Sequence, residues 1–139
     1  MDINLKFKGS YVSMRRAPFL IEIGESMQCS IAIQILPMDA GSDEEICSVV
    51  DSVIAYIQQS GLDYYVGPFE TAIQGSYKAC MDVLYGCQLI AEKAGSKKIM
   101  CYAKIDYRPE GDLMTTQAKI GKYHQGQDEE KMARKFEVA

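Results

Sequence analysis

Cys29-Ser30-Ile31-Ala32-Ile33-Gln34-Ile35-Leu36 is the stretch on which the fold turns. Isoleucines stand at 31, 33 and 35, with Ser30, Ala32 and Gln34 between them. Side chains of a strand alternate between faces, so this pattern predicts a strand with one buried face and one semi-polar face. Pro37 ends it.

Downstream, Ser42-Asp43-Glu44-Glu45 opens the next element. Ser42 with Glu45 three residues on is a capping box, and acidic residues suit the positive end of a helix dipole. Ile46, Val49, Val50, Val53, Ile54 and Ile57 follow in steps of three and four, one apolar helical stripe that Gly61 stops. Leu62 to Val66 reads as a short strand, Gly67-Pro68 as a turn and Phe69 to Gln74 as another strand. Ser76 caps a second helix with the stripe Ala79, Cys80, Val83, Leu84, Cys87 and Ile90, ending near Gly95. Lys98 to Tyr107 is the last strand, closed by Pro109. The order βαββαβ predicts an α+β, ferredoxin-like domain over 28–108: a four-stranded antiparallel sheet with two helices on one face. The isoleucines face the helices. The opposite face carries Ser30, Ala32, Gln34 and, from the last strand, Tyr102, Lys104 and Asp106. A fully solvated face would carry more charge; this one suits a subunit contact with a ligand trapped against it.

The flanks are harder to read. Residues 1–27 form an N-terminal extension in which Phe19 to Ile23 is a candidate short strand; the segment is otherwise loose or pairs with another subunit. Residues 109–139 form a polar tail in which Asp128 to Val138 is a candidate charged helix, either mobile or docked on a neighbour.

The bulk properties agree. The chain has 139 residues, 47% hydrophobic and 24% charged, the profile of one ordinary domain with tails. A net charge of −4 argues against nucleic acid and mildly favours a neutral or cationic ligand. No run approaches the ~18 apolar residues of a membrane span, and Glu22 interrupts the only candidate signal core, so the expectation is a cytoplasmic protein with no membrane partner. Five cysteines, 29, 47, 80, 87 and 101, show no C-x-x-C pair. With a single histidine they make no zinc set, and they read as free thiols, most of them buried.

No catalytic motif is present. His124, in the polar tail, reads as an inert surface group. Asp39, Asp43, Glu44 and Glu45 read as helix-entry chemistry rather than a metal site. The unusual feature is nine tyrosines with no tryptophan. Tyr64, Tyr65, Tyr102 and Tyr107 lie on strands, where they either pack the sheet or wall a pocket for a flat, cationic ring.

Three stretches carry a resemblance: Ile33-Gln34-Ile35-Leu36-Pro37-Met38, then Val66-Gly67-Pro68-Phe69-Glu70-Thr71-Ala72-Ile73-Gln74-Gly75, then Lys104-Ile105-Asp106-Tyr107-Arg108. Over about 28–108, and over neither tail, the chain resembles the thiamine-binding protein family, the single-repeat relatives of YkoF. The resemblance implies subunits joined through their sheets as a dimer or tetramer, non-catalytic binding of thiamine or its hydroxymethylpyrimidine moiety, and a role in thiamine uptake or salvage. It carries Thr71 over as a ligand contact. Gln34 and Leu36 depart from the small hydroxyl residue and tyrosine common in relatives. On chemical grounds Gln34 and Thr71 suit the edge of an aminopyrimidine, and Ser30 is a further candidate ligand contact. Glu70 or Asp106 suits a thiazolium charge, with Tyr65 or Tyr102 beneath the ring. The competing expectation is a regulatory or scaffold module that uses the open face only for assembly.

Overall fold

The computed structural model describes residues 27–111 and 113–124, together with the backbone of two N-terminal strands, β1 (Ile3–Phe7) and β2 (Ser10–Met14). These two pair antiparallel, from Ile3 opposite Met14 to Phe7 opposite Ser10. The sequence reading did not anticipate this hairpin. Its candidates at Phe19 to Ile23 and Asp128 to Val138 lie outside the described residues.

The central order is β3 (Cys29–Pro37), α1 (Asp43–Gln59), β4 (Asp63–Val66), β5 (Thr71–Gly75), α2 (Tyr77–Lys93) and β6 (Ile99–Tyr107). The sheet runs β4-β5-β3-β6 with every neighbouring pair antiparallel. Thus β5 separates the parallel pair β3 and β4, while β3 separates β5 and β6. Two interlocked split βαβ units of this kind are the ferredoxin-like fold that the element order predicts.

Local chemistry starts both helices where expected. The Ser42 hydroxyl accepts the Glu45 N–H and the Ser76 hydroxyl accepts the Ala79 N–H. Gly61, at φ +78°, takes the left-handed turn after α1. At Gly67 a Cβ would stand 2.9 Å from the Glu70 carbonyl oxygen, so only glycine lets the β4–β5 turn close with its Gly67 N–H to Glu70 O bond.

The core lies between the sheet and both helices. Ile31, Ile33 and Ile35 of β3 and Ile73 of β5 are buried against Val53 and Ile57 of α1 and Cys80, Val83, Cys87 and Ile90 of α2. The whole predicted α2 stripe is buried, whereas on α1 Tyr56 joins the buried set and Ile46 is exposed. Gly86 on α2 makes room for Tyr56: a Cβ there would overlap the Tyr56 phenol.

A third helix, α3 (Thr116–His124), lies in the segment read as a polar tail. The Thr115 hydroxyl caps it by accepting the Ala118 N–H at 3.1 Å. It buries no residue of its own, so it left no apolar stripe in the sequence. Polar contacts hold it on the sheet face opposite α1 and α2.

Candidate functional site

Directly paired residues of an antiparallel sheet project to the same side, so the register sorts every candidate side chain. Ser30 pairs with both Gln74 and Asp106, Ala32 with Ala72 and Lys104, Gln34 with Tyr102, and Leu36 with Met100. On the outer strand, Asp63 pairs with Gln74 and Tyr65 with Ala72. All of these share the face that the isoleucines leave free. Glu70 precedes β5 and reaches the same face, where its carboxylate accepts from Lys104 Nζ at 2.8 Å. Of the sequence candidates, Ser30, Gln34, Tyr65, Glu70, Tyr102 and Asp106 therefore come together.

Thr71 does not join them. It pairs with Ile33, a core residue, and it is buried on the helix side. The resemblance gives Thr71 a ligand contact and chemistry pairs it with Gln34 as a reader of one ring edge; the register sets the two on opposite faces. The β5 side chains that share the open face are Ala72 and Gln74. Alternation within Thr71-Ala72-Ile73-Gln74 held that signal: if Ile73 is core, Ala72 and Gln74 face the other way.

The open face has two adjoining parts. Ala32 and Ala72, side by side and half-buried, make a low floor. Around it stand Tyr65, Gln34, Tyr102 and the Lys104–Glu70 pair. The second part is a cleft of about 150 Å³ beneath α3, lined by Asp63, Tyr65, Gln74, Thr116, Ile120 and His124 among others. It is smaller than the roughly 300 Å³ and upward of drug-sized pockets, so it has room for a single small ring. Tyr65 borders both parts.

Polar groups fix this cleft. The Gln74 side chain is only 5% exposed. Its Oε1 accepts the Thr116 N–H at 2.8 Å, and its Nε2 donates to Asp63 Oδ2 at 3.4 Å. The Tyr65 hydroxyl lies 3.4 Å from His124 Nε2, with the two ring centroids 5.7 Å apart. His124, read from sequence as an inert tail residue, thus stands at the rim of a cleft.

Neither carboxylate assigned to a cationic ring is unpartnered. Glu70 faces Lys104, and Asp106 faces Arg108 at 3.4 Å and Lys119 at 3.8 Å. Exposed pairs of this kind contribute at most ~1 kcal/mol, so an incoming cation can exchange with them.

Nothing in these contacts activates a nucleophile. All five cysteines are free. Burial pushes Cys80 and Cys87 from the ordinary 9.0 up to about 12, which keeps them as inert thiols. Asp39 accepts from the Ser96 hydroxyl at 2.7 Å and the Lys97 N–H at 2.9 Å. Those bonds hold its carboxyl below the usual range and tie the loop after β3 to the loop before β6. Glu45 accepts the Gly41 N–H. The acidic residues around α1 thus serve loop and cap geometry, and among the described residues no group of three metal-ligating side chains converges.

Comparison with known proteins supplies the context. The thiamine-binding protein family matches residues 31–124, reaching past the sequence resemblance to take in α3. A UPF0045 protein of Clostridium perfringens is 35% identical over 95 residues, 68% of this chain and 96% of that protein. A domain of unknown function from Bacillus cereus superposes with a TM-score of 0.63 at 34% identity, covering 75% of this chain and 94% of its own. A Thermotoga maritima protein assigned provisionally to thiamine biosynthesis or salvage superposes with a TM-score of 0.60 at 28% identity, covering 69% and 98%. These relatives are nearly spanned by the central part of the chain, and no helix among the described residues is long and apolar enough to cross a membrane. The chain belongs to the thiamine-binding protein family.

Proposed function

We propose that the protein binds thiamine or its hydroxymethylpyrimidine moiety on the open sheet face, without catalysing a reaction on it, in the uptake or salvage of that vitamin. The observation that carries this reading is the two-part site: a one-ring cleft beneath α3 adjoining a low alanine floor, with Tyr65 between them. Thiamine is likewise two joined rings, one an aminopyrimidine and one a thiazolium cation. A flat cation is attracted to a tyrosine face, and Tyr65 and Tyr102 provide two. Family membership and the Thermotoga maritima neighbour support the same ligand class.

The ligand reading goes with assembly through the part of the face that α3 leaves bare. Tyr102 is 56% and Met100 42% exposed there, apolar surface that a second copy would cover. The proposal is a cytoplasmic homo-oligomer, a dimer or tetramer, whose second copy closes the floor. Those same exposed side chains favour the rival reading, a module that only assembles. Calorimetric titration of the full chain with thiamine and with hydroxymethylpyrimidine separates the two. Saturable heat with either supports binding; a folded oligomer that gives no heat with both leaves assembly alone.

A further inference from the structure

Gln74 and Asp63 are the groups in the cleft that have a fixed hydrogen-bonding sense. A side-chain amide can face either way, and its neighbours decide. Here the Thr116 backbone N–H points at one end of the Gln74 amide from 2.8 Å. An N–H requires an acceptor, so that end is Oε1. The other end is then the amino group, and it faces Asp63 Oδ2 at 3.4 Å. The Nε2 has a second hydrogen, and the Asp63 carboxylate, on the exposed outer strand, has lone pairs beyond those this one donor uses. Both residues line the cleft. Side by side in register, they present a donor next to an acceptor.

The geometry points to Asp63 and Gln74 as the pair that reads the amino–imino edge of an aminopyrimidine-type ring. The exocyclic amino group donates to the Asp63 carboxylate, and the adjacent ring nitrogen accepts from Gln74 Nε2. The ring lies in the cleft beneath α3, with Tyr65 and Ile120 among its walls and the Tyr65–His124 contact at its rim. Gln74 is nine-tenths buried and tied at both ends, so it is ordered before the ligand arrives and little freedom is lost on binding. A ring without the amino group gives up its hydrogen bond to a charged acceptor, and that loss sets the preference between the two compounds. This assignment rests on the thiamine reading and adds to it the atoms that choose the ligand.

The test is a chemical double-mutant cycle on the full chain. Hydroxymethylpyrimidine and its analogue lacking the 4-amino group are titrated into the parent and into Asp63→Ala. Asp63 is exposed on an edge strand, and a thermal melt verifies that the variant is folded. In the parent, the amino compound binds roughly ten- to a hundredfold tighter, the range for a hydrogen bond to a charged group. In Asp63→Ala the two compounds bind within about threefold of each other. An amino preference that survives in Asp63→Ala, or a parent with none, overturns the assignment while thiamine binding stands. A parent that binds neither thiamine nor hydroxymethylpyrimidine overturns the functional reading itself, and the assignment with it.

Discussion

Ile73 and Gln74 are neighbours in the chain and look out on opposite sides of the same sheet. Ile73 meets two helices of 17 residues each, packed by apolar side chains. Gln74 meets one helix of nine residues, joined to it by the hydrogen bond from the Thr116 N–H to the Gln74 side chain. The first cover is close-packed and cannot shift without opening a void. The second is a tether of a few directional bonds, each partly replaceable by water. The difference separates what holds this domain together from what can admit a ligand.

The comparison breaks most visibly at Ile73. Ile73→Ala removes a side chain with no exposed surface and should lower unfolding free energy by ~2–5 kcal/mol. Denaturant melts measure this, and the loss should show equally in probes on α1, α2 and the sheet. Because Ile73 never reaches the open face, ligand affinity per folded molecule should stay close to that of the parent.

Raising the pH attacks the same closed side from within. Cys80 and Cys87 titrate near 9.0 when exposed and at about 12 in the fold. Desolvation of the thiolate is the larger cause in both. A pKa raised by folding means that the folded state holds its protons longer, so the stabilisation is complete below about 9 and is lost as pH climbs from there toward 12. Denaturation midpoints should therefore fall over that alkaline window. Replacing both residues by alanine should flatten this part of the profile while lowering stability at neutral pH. An unchanged alkaline slope in that variant would assign the effect to Cys29 and Cys101 instead, whose thiols burial also pushes up.

The two sides also differ in how they are written in the sequence. The closed side is encoded by periodicity. Isoleucines at every second position of β3 and the α2 stripe from Ala79 to Ile90 announce their burial, because apolar contacts repeat with the geometry of the element. The open side is encoded by partnership, which periodicity does not record. α3 has Ile120 and little else to mark a face, and Gly121 interrupts it; what fixes it is the Gln74 side-chain Oε1, brought within 2.8 Å of the Thr116 N–H by the folded sheet. Tyr56 failed to appear in the α1 stripe for a related reason. Its place depends on a glycine, Gly86, on the other helix, which no pattern within α1 can show. Ser30, Gln34, Tyr102 and Asp106 were legible on the open face because they alternate with the isoleucines or pair with those that do.

Gln74→Ala sharpens the contrast on the open side. It leaves the Thr116 N–H without its acceptor and Asp63 without a donor, at a cost of about 1–2 kcal/mol. The expected signature is local. Amide exchange should accelerate across 116–124 while the amides of β3 and α2 keep the protection of the global fold. Affinity for hydroxymethylpyrimidine should fall along with the order of α3. Uniform acceleration throughout the domain would mean that α3 is part of the core after all.

The smallest expected effect belongs to Thr71, and it tests the register directly. A resemblance transferred by position gives Thr71 a ligand contact; pairing with Ile33 turns it toward α1 and α2. The two assignments diverge for Thr71→Val, which keeps the shape of the side chain and removes the hydroxyl. A hydroxyl bonded to the ligand would be missed by ~1 kcal/mol or more, a several-fold loss of affinity. A hydroxyl on the helix side would not be missed by the ligand at all, and valine is as much at home in a strand as threonine. The expected result is thiamine and hydroxymethylpyrimidine affinities within about twofold of the parent, whereas Asp63→Ala, three register positions away and on the opposite face, loses most of its amino preference. A several-fold loss for Thr71→Val would require β5 to present its other face to the ligand, moving the site from the open face into the space beneath the helices.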